Sequence, residues 1–220
     1  MSPTSPSLLV DASVALTALP VPTAATAIVY CEGNFGEIDG KTANGLVRHS
    51  ETYRIVAVID SLHAGADAGE VLGEAANGIP VCVSLDAALR LPSGRPDWFI
   101  FGMAPTSGML STPERAMVLH AMSLGMSVVN GLHEFLNDDA EFAAASVTYG
   151  VALLDVRRPR NKTDLRMFSG RIDSVTCPRI AVLGTDGAIG KRTTSVVLAK
   201  ALNDAGIKTV LVGTGQTSII

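Results

Sequence analysis

From Thr26 onward the chain alternates between short apolar runs and longer mixed stretches. The runs fall at residues 27–31 (AIVYC), 54–59 (RIVAVI), 80–83, 97–101 (DWFIF), 127–130 and 151–154. Between them, the pattern predicts helices near residues 41–49, 85–91, 112–124 and 138–146, with Pro113 where a first helical turn tolerates it. Strands alternating with helices imply a parallel sheet wound on both faces, so residues 26–156 read as a Rossmann-like doubly wound α/β layer.

The pattern breaks at residues 157–178, which are rich in charge and turn formers and read as a linker. It resumes at residues 180–183 (IAVL), an expected strand that runs into a glycine-rich turn and then a helix over 193–203 with Val196, Val197, Leu198 and Leu202 on its apolar side. Strand, glycine turn, lysine and helix together make a phosphate loop. Glycines let backbone N–H groups converge on an anion, and the helix adds the positive end of its dipole. The residues expected at the phosphates are Gly184, Thr185, Gly187, Ala188, Ile189, Gly190, Lys191, Arg192, Thr193 and Thr194. The match to GxxxxGK[ST] is imperfect, because Thr185 stands at the first glycine and Arg192 at the hydroxyl position. Counted from Gly184, the loop has a GTDxxxGK form resembling dethiobiotin synthetase and related P-loop enzymes. A Mg²⁺-binding hydroxyl then comes from Thr193 or Thr194. ATP and acetyl-CoA both offer suitable phosphates.

After that helix, residues 208–213 (KTVLVG) read as a further strand, followed by GTGQT motif residues up to Thr217. A P-loop unit over 179–220 with so few strands reads as partial. It lacks the strand carrying the acid that orients Mg²⁺ and water, so a longer chain or a partner is expected, and uncovered apolar strands favour a homo-oligomer.

Composition narrows the function classes. A net charge of −4 over 220 residues, with no basic cluster longer than Arg157-Arg158-Pro159-Arg160, gives no reason to expect nucleic acid or an acidic membrane. No uninterrupted apolar stretch is long enough for a membrane span. Residues 1–25 have an apolar middle, but no Lys or Arg occurs before Lys41 and Asp11 interrupts the run, so they read as a poorly ordered leader rather than an export signal. Cys31, Cys82 and Cys177 are odd in number and lie in or beside apolar runs, which suggests buried thiols in a reducing compartment, the cytoplasm.

In a doubly wound sheet ligands gather beyond the carboxyl ends of the strands, which singles out the loops 33–36, 60–65, 102–108 and 130–133. The first is GNFG and not GxGxxG, a weak dinucleotide fingerprint, although Asp60 ends the second strand where either a ribose-binding acid or a capping carboxylate would stand. His133, directly after a strand, is a candidate general base or substrate contact, and Asp186 in the phosphate loop is the other candidate base. Arg157, Arg158, Arg166 and Arg171 could reach an anionic ligand or stay solvated in the linker. Neither His63 nor His120 has a partner visible in the sequence.

The motifs KTANGLVRHS, VVNGLHEFLNDD, DVRRP, GTDGAIGKRTT and GTGQT, in this order, resemble a bacterial and archaeal family with an N-terminal Rossmann-like and a C-terminal P-loop domain, which includes D-glutamate N-acetyltransferase. The resemblance covers nearly everything after Thr26. It implies an N-acyltransferase whose acyl donor lays its phosphates on the loop and whose acidic D-amino acid presents its amine at the domain junction. An ATP-dependent enzyme and a nucleotide-binding regulator are the alternative readings.

Overall fold

The computed structural model describes residues 25–159, 163, 167–186 and 189–213. Six strands, β1 (Ala25–Tyr30), β2 (Tyr53–Ile59), β3 (Val81–Cys82), β4 (Trp98–Phe101), β5 (Ser127–Asn130) and β6 (Leu153–Asp155), form one sheet. Every pair is parallel and the order is β3-β2-β1-β4-β5-β6. The order reverses between β1 and β4, the kind of switch point at which doubly wound folds bind ligands. The helices are α1 (Lys41–His49), α2 (Ala68–Val71), α3 (Leu85–Leu89), α4 (Thr112–Ser123), α5 (Ala140–Tyr149) and α6 (Lys191–Asp204).

Strands buried on both faces need apolar residues at consecutive positions, and the central pair supplies them. Ile28 and Val29 on β1 and Phe99 and Ile100 on β4 are fully buried. Tyr30 stacks on both Phe99 and Phe101 with ring centroids 5.8 Å apart in each case. Burial, with Glu32 and Glu114 nearby, pushes its hydroxyl up to about 12. At the other end of the same pair, the Thr26 N–H and Oγ1 donate to Asp97 Oδ2 at 2.8 and 2.7 Å. Those bonds, the backbone one first, hold the Asp97 carboxyl below its ordinary value.

Helix ends follow local chemistry. Pro113 lies in the first turn of α4, and Glu114 accepts from the Ser111 N–H at 2.5 Å. Asp139 caps α5 through the Glu141 and Phe142 N–H groups, so this helix starts later than the apolar pattern suggests. It runs on to Tyr149 and stops at Gly150, whose φ of 64° is left-handed. The short helix α2 was not expected; Asp67 caps it.

Four expectations need correction. Residues 180–183 and 208–213 form no strand, since a strand exists only through a hydrogen-bonded neighbour and these two find none among the described residues. Leu183 and Val210 are each 85% exposed as a result. The helix α6 forms, two residues earlier than expected, yet it buries none of its residues and leaves Val197 53% exposed. Cys177 is exposed, whereas Cys31 and Cys82 are buried. Apart from Ala25, which opens β1, the expected leader lies outside the described residues, as do residues 214–220 with most of GTGQT.

Gly102, directly after β4, packs where nothing larger fits. A Cβ there would lie 2.6 Å from Val29 Cγ1, 2.8 Å from Ala43 Cβ and 3.1 Å from the Tyr30 carbonyl oxygen. Strand β1 and helix α1 are both central, so neither can withdraw cheaply. Gly102→Ala should destabilise the sheet by about 1–3 kcal/mol, read as a lower urea midpoint with an unchanged slope. An unchanged midpoint would mean that α1 does not press on β4.

Candidate functional site

Helix α6 begins at Gly190, whose φ of 93° suits glycine and turns the chain from loop to helix. Lys191 opens the helix and its Nζ donates back to the Asp186 carbonyl oxygen across the loop. The first turn holds no acidic residue, so the ammonium and the helix N-terminus present positive charge unopposed from within that turn. Gly184, Thr185, Asp186 and Ile189 are exposed around this turn, as are Thr193 and Thr194; Gly187 and Ala188 lie outside the described residues. The residues present therefore fit a phosphate group: backbone amides at a helix start, a lysine folded over them, and two hydroxyls one and two places on for a Mg²⁺. Among the described residues no three His, Cys, Asp or Glu side chains converge as a metal site.

Arg192 does not join the loop. Its guanidinium reaches helix α1, where a Cβ on Gly45 would meet its NH1 at 2.6 Å. Burial lowers the Arg192 pKa, and its Nε is enclosed without a hydrogen-bond partner. His49, at the end of α1, is lowered too, first by its own burial and then by the Arg192 charge. A cavity of about 420 Å³ opens beside this contact, lined in part by His49, Thr52, Arg192, Val196 and Lys200.

The carboxyl edge of the sheet is the second region. The loop from Cys31 to Gly40 fills the turn after β1, and Asp60 at the end of β2 is fully buried. Asp60 accepts from the Gly33 N–H at 2.8 Å and the Leu62 N–H at 3.3 Å, and its other oxygen faces His63 Nδ1 at 2.6 Å. The carboxylate thus ties two loops together and caps a 3₁₀ turn over Ser61–His63.

At the carboxyl end of β5 His133 is exposed, its N–H bonded to the Gly108 carbonyl. Arg157 NH1 lies 3.0 Å from His133 Nε2 and 3.4 Å from Nδ1. A guanidinium can only donate, so the ring nitrogen it faces offers a lone pair. Behind them, Asp155 accepts from Asn130 Nδ2 and from the Leu136 and Asn137 N–H groups, which pins the β5 and β6 loops together. Arg158 pairs with Asp138 at 2.7 Å. The sequence singles out His133 and allows Arg157 either an anionic ligand or solvent; the structure brings the two together. It also left His63 without a partner, although Asp-x-x-His at a strand end is the spacing with which a capping carboxylate meets a histidine one turn on.

Comparison with known proteins adds the family. Residues 61–159 match a Rossmann-like domain of unknown function, DUF1611_N, and residues 166–220 match the P-loop domain DUF1611_C. The chain is 30% identical over 122 residues to a D-glutamate N-acetyltransferase of Pseudoalteromonas sp, covering 56% of this chain and 36% of that one. It is 29% identical over 121 residues to a D-glutamate N-acetyltransferase of Tritonibacter scottomollicae, covering 55% and 35%. The crystal structure of a DUF1611 family protein from Anabaena variabilis superposes with a TM-score of 0.78 at 33% identity, over 89% of this chain and 55% of that one. The chain thus spans about half of that solved structure, and its matches cover about a third of the two acetyltransferases. No helix among the described residues is long and apolar enough to cross a membrane.

The contact of α6 with α1 is open to titration. A histidine with a lowered folded pKa contributes stability that is complete above its unfolded value near 6.5 and is lost as pH falls through the lower folded value. Arg192→Ala removes both the cover and the charge, so the NMR titration midpoint of His49 should rise towards the ordinary value. A midpoint that stays where it was would separate Arg192 from His49.

Proposed function

The chain belongs to the DUF1611 family, with its Rossmann-like layer followed by a P-loop unit, and from that premise we propose that it binds the phosphates of CoA and serves N-acyl transfer to an acidic D-amino acid. The observation that carries the reading is the start of α6, where Gly190, Lys191 and an acid-free first turn make an anion seat. The relatives named D-glutamate N-acetyltransferase support the acyl chemistry. In this reading Lys191 and the loop amides hold the donor's phosphates, with Thr193 available to Mg²⁺. His133 and Arg157 offer a lone pair and a guanidinium side by side, and the guanidinium takes a substrate carboxylate. Asp186, exposed in the loop, borders the donor.

An acyl thioester suits a divided site. Its phosphates anchor far from its reactive carbonyl, so one unit can hold the donor while the carboxyl edge of the other holds the acceptor. ATP is the competing occupant of the loop.

Two variants separate donor from acceptor. Lys191→Ala leaves the amides in place and should weaken CoA binding by about 1.5–3 kcal/mol, roughly ten- to hundredfold. Arg157→Gln should instead raise the KM for the amino acid and leave CoA affinity alone. Calorimetry with CoA and ATP, with and without Mg²⁺, reads the first. Free thiol released from acetyl-CoA with D-glutamate, using the complete gene product, reads the second. Turnover of ATP with no thiol released for any amino acid would replace acyl transfer by an ATP-dependent reaction.

A further inference from the structure

Four histidines stand in this chain, and their ring nitrogens are placed very differently. His49 Nε2 is enclosed without a partner. His120 Nε2 faces Asp86 at 3.6 Å on the outer surface. His133 has Arg157 NH1 against its ring. Only His63 has one nitrogen held by a buried carboxylate and the other open: Nδ1 is 2.6 Å from Asp60 Oδ2, the Asp60 side chain is fully buried, and that of His63 is 39% exposed. Asp60 itself is fixed by the Gly33 and Leu62 N–H groups, so it cannot swing away from the ring.

That arrangement selects a tautomer. An ionised carboxylate only accepts, so the hydrogen sits on Nδ1 and Nε2 carries the lone pair. A buried acid that orients an imidazole in this way is what general bases in acyl transfer require. The position also fits. The turn Ser61–His63 follows β2 and is tied to the loop after β1, since Glu32 accepts from both the N–H and the hydroxyl of Ser61. Strand β2 neighbours β1, one strand spacing of about 4.8 Å from the β1–β4 reversal.

We infer that His63, oriented by Asp60, is the proton acceptor for the amine of a carboxylate-bearing substrate seated over the carboxyl ends of β1 and β2. The inference rests on the acyl-transfer reading above. The neutral amine attacks the thioester carbonyl and the C–N bond forms. Nε2 takes the surplus amine proton, and the Asp60 carboxylate stabilises the imidazolium. As the C–S bond breaks, the imidazolium returns that proton to the departing thiolate, leaving an amide and a free thiol. His63 is the catalytic residue in this step and Asp60 a positioning residue.

The test uses the complete gene product with acetyl-CoA and D-glutamate, followed by thiol release. His63→Gln should lower kcat about a hundredfold or more with little change in the KM for either substrate. In His63→Ala, added imidazole should restore part of the rate, which no structural role of the side chain would allow. Asp60→Asn should lower kcat without abolishing folding, checked by circular dichroism; should it unfold, the His63 pair still decides. Rates within threefold of the parent in both His63 variants, with the parent active, would overturn the assignment and leave acyl transfer standing. A parent that releases no thiol removes acyl transfer instead, and carbethoxylation by diethyl pyrocarbonate then decides on the dyad. Faster modification of His63 than of His120, with D-glutamate protecting it, supports an open ligand-facing imidazole, and equal rates for the two overturn it.

Discussion

The contact between Gly102 and the first turn of α1 governs what the Rossmann-like layer can bind. Because β4 has no side chain there, α1 closes onto the sheet and the Ala43 N–H donates to the Gly102 carbonyl at 3.0 Å. The Lys41 N–H is taken by the Ile38 carbonyl at 3.2 Å, and the Asn44 side chain binds the Gly36 N–H and the Glu37 carbonyl. In a dinucleotide-binding layer the amides at the start of the helix after β1 would face a pyrophosphate. Here protein acceptors take two of them, and the long loop after β1 fills the turn. The second helix start, at Gly190 and Lys191, differs in that its loop is exposed.

The same economy of amides separates the two buried carboxylates at the carboxyl edge. Asp155 at the end of β6 accepts from Asn130, Leu136 and both nitrogens of Asn137, so its oxygens are saturated by the scaffold. Asp60 at the end of β2 receives backbone donors on one oxygen only, and the other faces a half-exposed imidazole. A buried carboxylate costs free energy unless it is paired or bonded. Asp155 meets that cost within the fold, whereas Asp60 meets it through a side chain that also touches solvent. Burial gives both acids the same look in sequence; the difference lies in what faces the second oxygen.

Local signals carried most of the fold. Every strand of the sheet was visible as a short apolar run, since a strand covered on both faces leaves a continuous apolar trace. Pro113 marked a helix start through backbone chemistry that needs no tertiary partner, whereas α5 runs three residues past its expected end before Gly150 stops it. The expected strands at 180–183 and 208–213 show the limit of that reasoning: apolar runs specify a strand only where another strand meets them. The site divides along the same line. The turn through Gly190 and Lys191 into a helix was legible because its signal is contiguous in sequence. The His133–Arg157 pair spans two strand ends and was not, and Arg192 looked like part of the loop until its guanidinium met Gly45 on a different unit.

Arg192 also bears on how the two units meet. It follows Lys191 directly and reaches Gly45, four residues and about 6 Å along the axis from the start of α1. That start lies at the carboxyl edge of the sheet, the edge that also carries Asp60 and His63 after β2 and His133 after β5. The arginine therefore sets α6 against the middle and the C-terminal half of α1, where His49 also feels its charge, and its buried, unpartnered Nε makes the contact costly to hold for packing alone. The contact through Gly45, and not the loop sequence, thus fixes how far the start of α6 lies from the carboxyl edge of the sheet.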